Sequence, residues 1–339
     1  MANVLVIGAG TMGSVHSEAY AKMPEVNLVG VVDVDLEKAN NLAERLNTKA
    51  FESYEAAVKE NIDVVSVCLP TPLHKQFVLK VASDGRHVVC EKPLARNLSD
   101  AKEMIAFCKD KGVKLFVGHV VRFFPEYVRV KELLASNKIG TPAVARTMRG
   151  GAFPSASNDW YSDFDSSGGL ILDMIIHDFD YLRWCFGEVE RVYAKSSKGR
   201  VYSKLEYALV TLRFKSGVIA HVEGTWAHQN FSTKLEIAGK NGVIEFDSAS
   251  ISPVIVSKKL NNQAEGVAVP ESPMKENPYY LELKHFIKCI QINENPTVTA
   301  EDAYKAMEIS LAALKSIETG KPVILNDSKD KEHSCNKEI

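Results

Sequence analysis

The chain is poor in cysteine, and none of its 6 cysteines forms a C-x-x-C pair. Cys68, Cys90, Cys108 and Cys289 lie inside apolar runs, as buried free thiols do. A disulfide framework and a cysteine-built zinc site are therefore not expected. No run reaches the about 18 consecutive apolar residues that a membrane span needs. A strand pattern begins at Asn3, directly behind the first methionine, where a secretory leader would put a basic and then a long apolar segment. A soluble cytoplasmic protein is the expectation. Charge of one sign is lacking too. The 41 basic side chains face 43 acidic ones, for a formal net charge of −2, and a nucleic-acid grip needs a clustered basic face. A small-molecule partner is the expectation, with no nucleic acid and no membrane.

What is present is ample core and two kinds of pattern. The 339 residues, 45% of them hydrophobic, suffice for two domains. Up to about residue 120, short apolar runs (Val4 to Ile7, Leu28 to Val32, Val64 to Leu69, His87 to Val89, Lys114 to Val117) alternate with helical patterns. The helical stretches are Met12 to Met23, Leu36 to Leu46, Leu73 to Ala82 and Leu98 to Lys111. That alternation predicts βαβ units on a doubly wound parallel sheet, a Rossmann-type α/β domain over residues 1–120. Beyond it, after a helix from Pro125 and a strand from Pro142, period-two strands cluster between Val189 and Ser257. Turn signals at Lys215-Ser216-Gly217 and Lys240-Asn241-Gly242 join them. These predict an open, mostly antiparallel sheet with helices, over residues 121–326. Two helices follow, about Tyr279 to Asn293 and Ala300 to Thr319, and the last is expected to pack back on the first domain. The polar tail 327–339 is expected to be flexible.

Gly8-Ala9-Gly10-Thr11-Met12-Gly13 follows the first strand and opens a helix. Gly8 permits the tight turn, Gly10 lets backbone approach a pyrophosphate, and Gly13 lets helix lie close on strand. The first helical turn then offers N–H groups to phosphate. Asp33 ends the second strand about 20 residues beyond the last glycine, where a carboxylate accepts from a ribose 2′-OH and repels a 2′-phosphate. With no arginine adjacent, NAD is favoured over NADP. The competing readings are a glycine-rich turn without ligand and, for Asp33, a plain helix cap.

Glu91-Lys92-Pro93 follows the fourth apolar run of this domain, at the strand edge where open α/β sheets bind ligands. Lys92 there could hold a substrate oxygen and stabilise alkoxide charge; a solvated turn lysine is the bland alternative. Further on, a helix is predicted over about Leu170 to Trp184. On it Asp173, His177 and Asp180 stand at i, i+4 and i+7 and share one face. His177 is the natural proton acceptor, and Asp173, one turn away, would raise its basicity. A satisfied structural ion pair is the competing reading. A metal site lacks further nearby ligands, so no metal is expected. Arg122 could bind a substrate hydroxyl or pair with an acid. Asn158, Trp160 and Tyr161 lie in the loop before the helix, where substrate choice is commonly set.

Taken together, Gly8–Gly13 with His16, Cys68-Leu69-Pro70-Thr71-Pro72 with His74, Glu91-Lys92-Pro93, Arg122, and Gly168-Gly169 followed by Asp173, His177 and Asp180 resemble the Gfo/Idh/MocA oxidoreductases. The resemblance spans nearly the whole chain. It implies Lys92 beside the nicotinamide, often with a cis Lys-Pro bond, and a cofactor site drawing also on Leu69, Thr71, His74 and Glu91. It implies His177 as base with Asp173 as its partner, and Asp180 near substrate hydroxyls. It also implies a homodimer or homotetramer. The function expected is hydride transfer from a secondary alcohol of a cyclitol, sugar or polyol to NAD. Inositol is the narrow preference, on the run Asp173 to Asp180. The alternatives are a glycosidase using NAD for transient oxidation and a non-catalytic NAD-binding regulator.

Overall fold

The computed structural model describes residues 1–198, 204, 206–249 and 277–325. The strand expected at Pro253 to Ser257 and the tail 327–339 lie outside the described residues.

The first sheet takes six strands, with helices between them. In chain order these are β1 (Ala2–Ile7), α1 (Thr11–Ala21), β2 (Val26–Val32), α2 (Leu36–Leu46), β3 (Lys49–Phe51), α3 (Tyr54–Ala57), β4 (Val64–Val67), α4 (Thr71–Ser83), β5 (His87–Cys90), α5 (Leu98–Asp110) and β6 (Leu115–Val117). Their spatial order is β3-β2-β1-β4-β5-β6, and every neighbouring pair is parallel. Runs such as Val4-Leu5-Val6 are completely buried because helices cover both faces of the sheet. The strand order turns back between β1 and β4. At that switch point the carboxyl ends of the strands open a crevice, and the glycine loop follows one of those ends.

The second sheet begins after α6 (Pro125–Ala135) with β7 (Pro142–Ala152). Three short helices follow, α7 (Phe164–Ser167), α8 (Gly169–Asp173) and α9 (Ile176–Phe186). Then come β8 (Val189–Lys198), β9 (Glu206–Phe214), β10 (Ile219–Thr225), β11 (Ala227–Gly239) and β12 (Gly242–Asp247). The helices α10 (Pro278–Gln291) and α11 (Ala300–Thr319) and the short β13 (Val323–Ile324) complete the described chain. The order is β12-β11-β7-β10-β9-β8-β13, antiparallel throughout except for β7 with β10. Burial alternates along β9, and its inward residues Ala208, Val210, Leu212 and Phe214 pack on Leu170, Ile171, Ile175 and Phe179. The two halves do not have separate cores. Leu283, Phe286 and Ile287 of α10 join Val4, Val6 and Phe116, while Ala303, Ala306 and Met307 of α11 join Val65, Val67 and Val88.

One expectation fails in an informative way. The single helix over Leu170 to Trp184 is two helices, broken at Met174 and Ile175. Ile175 N–H bonds the Leu170 carbonyl five residues back (3.1 Å), widening the turn. The cause is packing and charge. Ile175 lies against Gly224 of β10, where even a Cβ would stand 2.5 Å from it. The Asp173 carbonyl, which an unbroken helix would give to the His177 N–H, receives the Lys92 ammonium at 2.7 Å. The i, i+4, i+7 spacing therefore does not describe one helical face.

Candidate active site

The glycine loop is built for close approach. A Cβ on Gly8, where φ is +104°, would meet the Cys68 carbonyl at 2.2 Å, and one on Gly13 would meet the Gly8 carbonyl at 1.7 Å. Above Gly10 a Cβ would meet nothing. Gly10 is the N-cap of α1, without a side-chain cap bond, and the first turn through Thr11, Met12 and Gly13 holds no acidic residue. These features fit a pyrophosphate. Asp33 accepts from the Ala9 N–H (2.7 Å) and from the Asp35 N–H (2.9 Å), so it braces the loop. The cap of α2 is Asp35, which takes the Lys38 N–H; the cap reading of Asp33 is thereby removed. Leu69 packs against Gly8 at the carboxyl end of β4, and Thr71 opens α4, buried.

His74, expected near the cofactor, and His16 both tie backbone or side chains of the first sheet together. His74 is wholly buried, with Nδ1 on the Pro93 carbonyl (2.9 Å) and Nε2 on the Leu69 carbonyl (2.7 Å). A neutral ring donates to only one of them at a time. Both ring nitrogens of His74 are thus engaged by backbone. His16 reaches from α1 to Ser66 Oγ (2.7 Å) and Glu91 Oε1 (3.0 Å), and Glu91 Oε2 accepts the Lys92 N–H (3.0 Å). Burial works against charge on His16, but Cys68 and Glu91 outweigh it and hold the imidazole well above its ordinary value. Burial likewise lifts Glu91, and His16 and Lys92 overcome it and hold the carboxyl low. Glu91 thus fixes the start of the turn rather than presenting a carboxylate to the cleft. The Lys92–Pro93 peptide is cis.

From that turn Lys92 crosses to α8 and places Nζ 2.7 Å from the Asp173 carbonyl and 3.0 Å from its Oδ1. Asp173 is therefore the partner of Lys92, and its expected pairing with His177 is not found. His177 is half-buried, with Nδ1 buried and without a hydrogen-bond partner among the described residues. Its basicity is not raised. Burial first, then the cations Lys92 and Arg149 and the neighbouring His119, push its pKa well below 6.5. At neutral pH the imidazole is unprotonated, the form a general base requires.

The other two aspartates of the segment are also paired. Asp180 takes a bidentate bond from Arg122, Nη2 to Oδ1 at 2.6 Å and Nε to Oδ2 at 2.8 Å, with both side chains buried. Arg122 also donates to the Thr297 carbonyl and to Asp302, and Asp302 is shared with Arg183. Any contact of Asp180 or Arg122 with a substrate hydroxyl, as expected from the sequence, would have to be made alongside this buried pair. Asp178 pairs with Arg149 of β7 at 2.7 Å. Arg149 escaped the sequence reading because β7 carries no motif and its burial is visible only from the sheet order. Tyr161 stands close enough to Asp173 and Glu91 for burial and those two carboxylates to raise its phenol, and Trp160 stacks on it (centroids 4.0 Å). Asn158 lies in a short turn, Ser157–Ser162, and its side chain is outside the described residues. Among the described residues no group of three His, Cys, Asp or Glu could hold a metal. No helix there is long and apolar enough to cross a membrane.

A doubly wound sheet with a glycine loop, facing a second sheet whose helices bring Asp173 to Lys92, defines a dinucleotide-dependent oxidoreductase. Residues 2–119 match the oxidoreductase family with an NAD-binding Rossmann fold, and residues 127–245 match the GFO/IDH/MocA C-terminal domain. The chain belongs to the GFO/IDH/MocA oxidoreductases. It is 32% identical to a myo-inositol 2-dehydrogenase of Thermotoga maritima, over 95% of this chain and 98% of the relative. It is 28% identical to a scyllo-inositol 2-dehydrogenase (NAD(+)) of Bacillus subtilis, over 95% of each. The crystal structure of GenD2 from gentamicin A biosynthesis in complex with NAD superposes with a TM-score of 0.87 at 26% identity, covering 96% of this chain and 97% of that one.

Proposed function

We propose that the protein is an NAD-dependent dehydrogenase of a secondary alcohol on a cyclitol, sugar or polyol, with an inositol the preferred substrate class. The observation that carries the reading is that Lys92, from the carboxyl end of β5, is held by Asp173 of α8, four residues before the half-buried His177, whose Nδ1 has no hydrogen-bond partner among the described residues. Bound NAD supplies the hydride acceptor. Gly10 and the first turn of α1 would hold its pyrophosphate, and Asp33 would receive the ribose hydroxyls, which would favour NAD over NADP. Lys92 binds the reacting oxygen and stabilises its developing negative charge. His177 takes the hydroxyl proton at its cleft-facing nitrogen. Asp173 fixes the Lys92 ammonium from two sides, and Tyr161 lines the substrate space. The names of the inositol dehydrogenases among the relatives support the substrate class. The test is NADH formation with myo-inositol, other cyclitols, aldoses and sugar acids. His177→Ala should keep NAD affinity and lose about 10²–10⁴ in turnover. Turnover equal to wild type in that variant rejects His177 as base.

A further inference from the structure

All three aspartates flanking His177 are committed elsewhere: Asp173 to Lys92, Asp178 to Arg149 and Asp180 to Arg122. Its Nδ1 is nonetheless buried without a protein partner, and a buried polar group left unpaired is costly. Proton uptake at Nε2 sharpens the problem, because the ring then carries charge beside Lys92 and Arg149 with an Nδ1–H that has no protein acceptor. One neighbouring side chain is equally unpartnered. His119 is wholly buried, and neither of its ring nitrogens has a hydrogen-bond partner among the described residues. Its ring stands edge-on to that of His177, with centroids 6.1 Å apart and an 84° interplanar angle. His119 follows β6, its N–H is tied to the Val117 carbonyl at 2.8 Å, and it leads into the turn Val120–Phe123. Helix α10, carrying the buried Glu282, packs on that turn. The charged groups around His119 are Asp180, Arg122, Lys92 and Glu91. Burial, with Arg122 and Lys92, outweighs the two acids and keeps the ring unprotonated, so one of its nitrogens is an acceptor.

We infer that His119 is the positioning residue of His177: through one bridging water it accepts the Nδ1–H of His177 and so turns Nε2 toward the substrate. Buried polar groups of this kind are commonly satisfied by such waters. The inference rests on His177 being the base. In the step itself the substrate O–H bond breaks and an Nε2–H bond forms. The positive charge gained is stabilised along the path from Nδ1–H through water to His119, and no electrons enter either ring.

The decisive measurement needs no ligand: nitrogen NMR of histidine-labelled protein, with His177 assigned by comparison with His177→Gln. In wild type His177 is expected as the Nδ1–H tautomer. In His119→Phe that preference is lost and the His177 titration falls by about one pH unit, since the imidazolium loses its acceptor. His119→Asn, which keeps a carbonyl acceptor, should restore both. An Nε2–H tautomer in wild type overturns the inference without any variant at 119, and so does a His177 titration unchanged in a folded His119→Phe. Kinetics with myo-inositol separate the two levels. Lost turnover in His177→Ala, with both rate and pH midpoint unchanged in His119→Phe, removes the role of His119 alone. Full turnover in His177→Ala removes the base assignment instead.

Discussion

Lys92 and Asp173, 81 positions apart in sequence, are joined twice, through the Asp173 carbonyl and its carboxylate. The bond stitches the carboxyl edge of the first sheet to the helices of the second, and it ends α8 where a continuous helix would have run on. It also sets a cation beside His177. Lys92→Met keeps the length and removes the charge. The pH at which His177 titrates should then rise, because Lys92 is one of the groups that lowers it. Turnover should fall about 10²–10³-fold with the loss of oxyanion stabilisation. The kcat/KM profile against pH reads both: the wild-type acid limb should lie below pH 6.5, the ordinary value for histidine, and the variant's should move upward.

Asp33 braces the glycine loop through Ala9, and in the proposed function it receives the ribose hydroxyls. Asp33→Asn keeps the shape and removes the negative charge. NAD should bind at least about tenfold more weakly, the equivalent of one charge-assisted hydrogen bond. The preference over NADP should narrow, since the repulsion of a 2′-phosphate is gone. Titration of both cofactors by fluorescence quenching measures the ratio; an unchanged ratio would remove Asp33 from cofactor choice.

Glu282 on α10 is wholly buried, and neither carboxylate oxygen has a hydrogen-bond partner among the described residues. Burial, reinforced by Glu91 and Asp180, drives its pKa well above 4.5. A carboxyl raised in the folded state contributes fully below its unfolded value, and that contribution is lost as pH rises toward the folded value. Glu282→Gln mimics the protonated form. Thermal unfolding of the variant should match wild type near pH 4 and exceed it as pH rises. A variant less stable than wild type at every pH would show that the carboxylate is ionised and held.

Much of this was legible in the chain. The helix Leu36–Leu46 is legible to its bounds because its period is strong. β3 and α3 were missed, since three or four residues hold less than one full pattern. The pairings of the candidate site residues were not legible. The spacing of Asp173, His177 and Asp180 implied one face, but partners arriving from β5, β7 and the turn after β6 neutralised each acid separately. Those partners, Lys92, Arg149 and Arg122, are close only through tertiary packing. His119 carries no signal in the sequence, because an unpartnered ring is a property of its surroundings.

Arg149 and Asp178 form a pair about 3% exposed on each side, linking β7 to α9 one residue from His177. Their attraction must offset the desolvation of two ions, so the pair as a unit adds little net stability, while either ion alone is costly. Arg149→Met should therefore lower stability by about 3–5 kcal/mol, leaving Asp178 buried and unpaired. The double variant Arg149→Met/Asp178→Leu should recover most of that loss. Removing Arg149 also removes a cation that depresses His177, so the His177 titration should rise in both variants. Urea denaturation of the four proteins in the cycle measures the coupling. If the double variant is as unstable as the sum of the singles, the pair is worth no more together than apart, and its place beside the base needs another explanation.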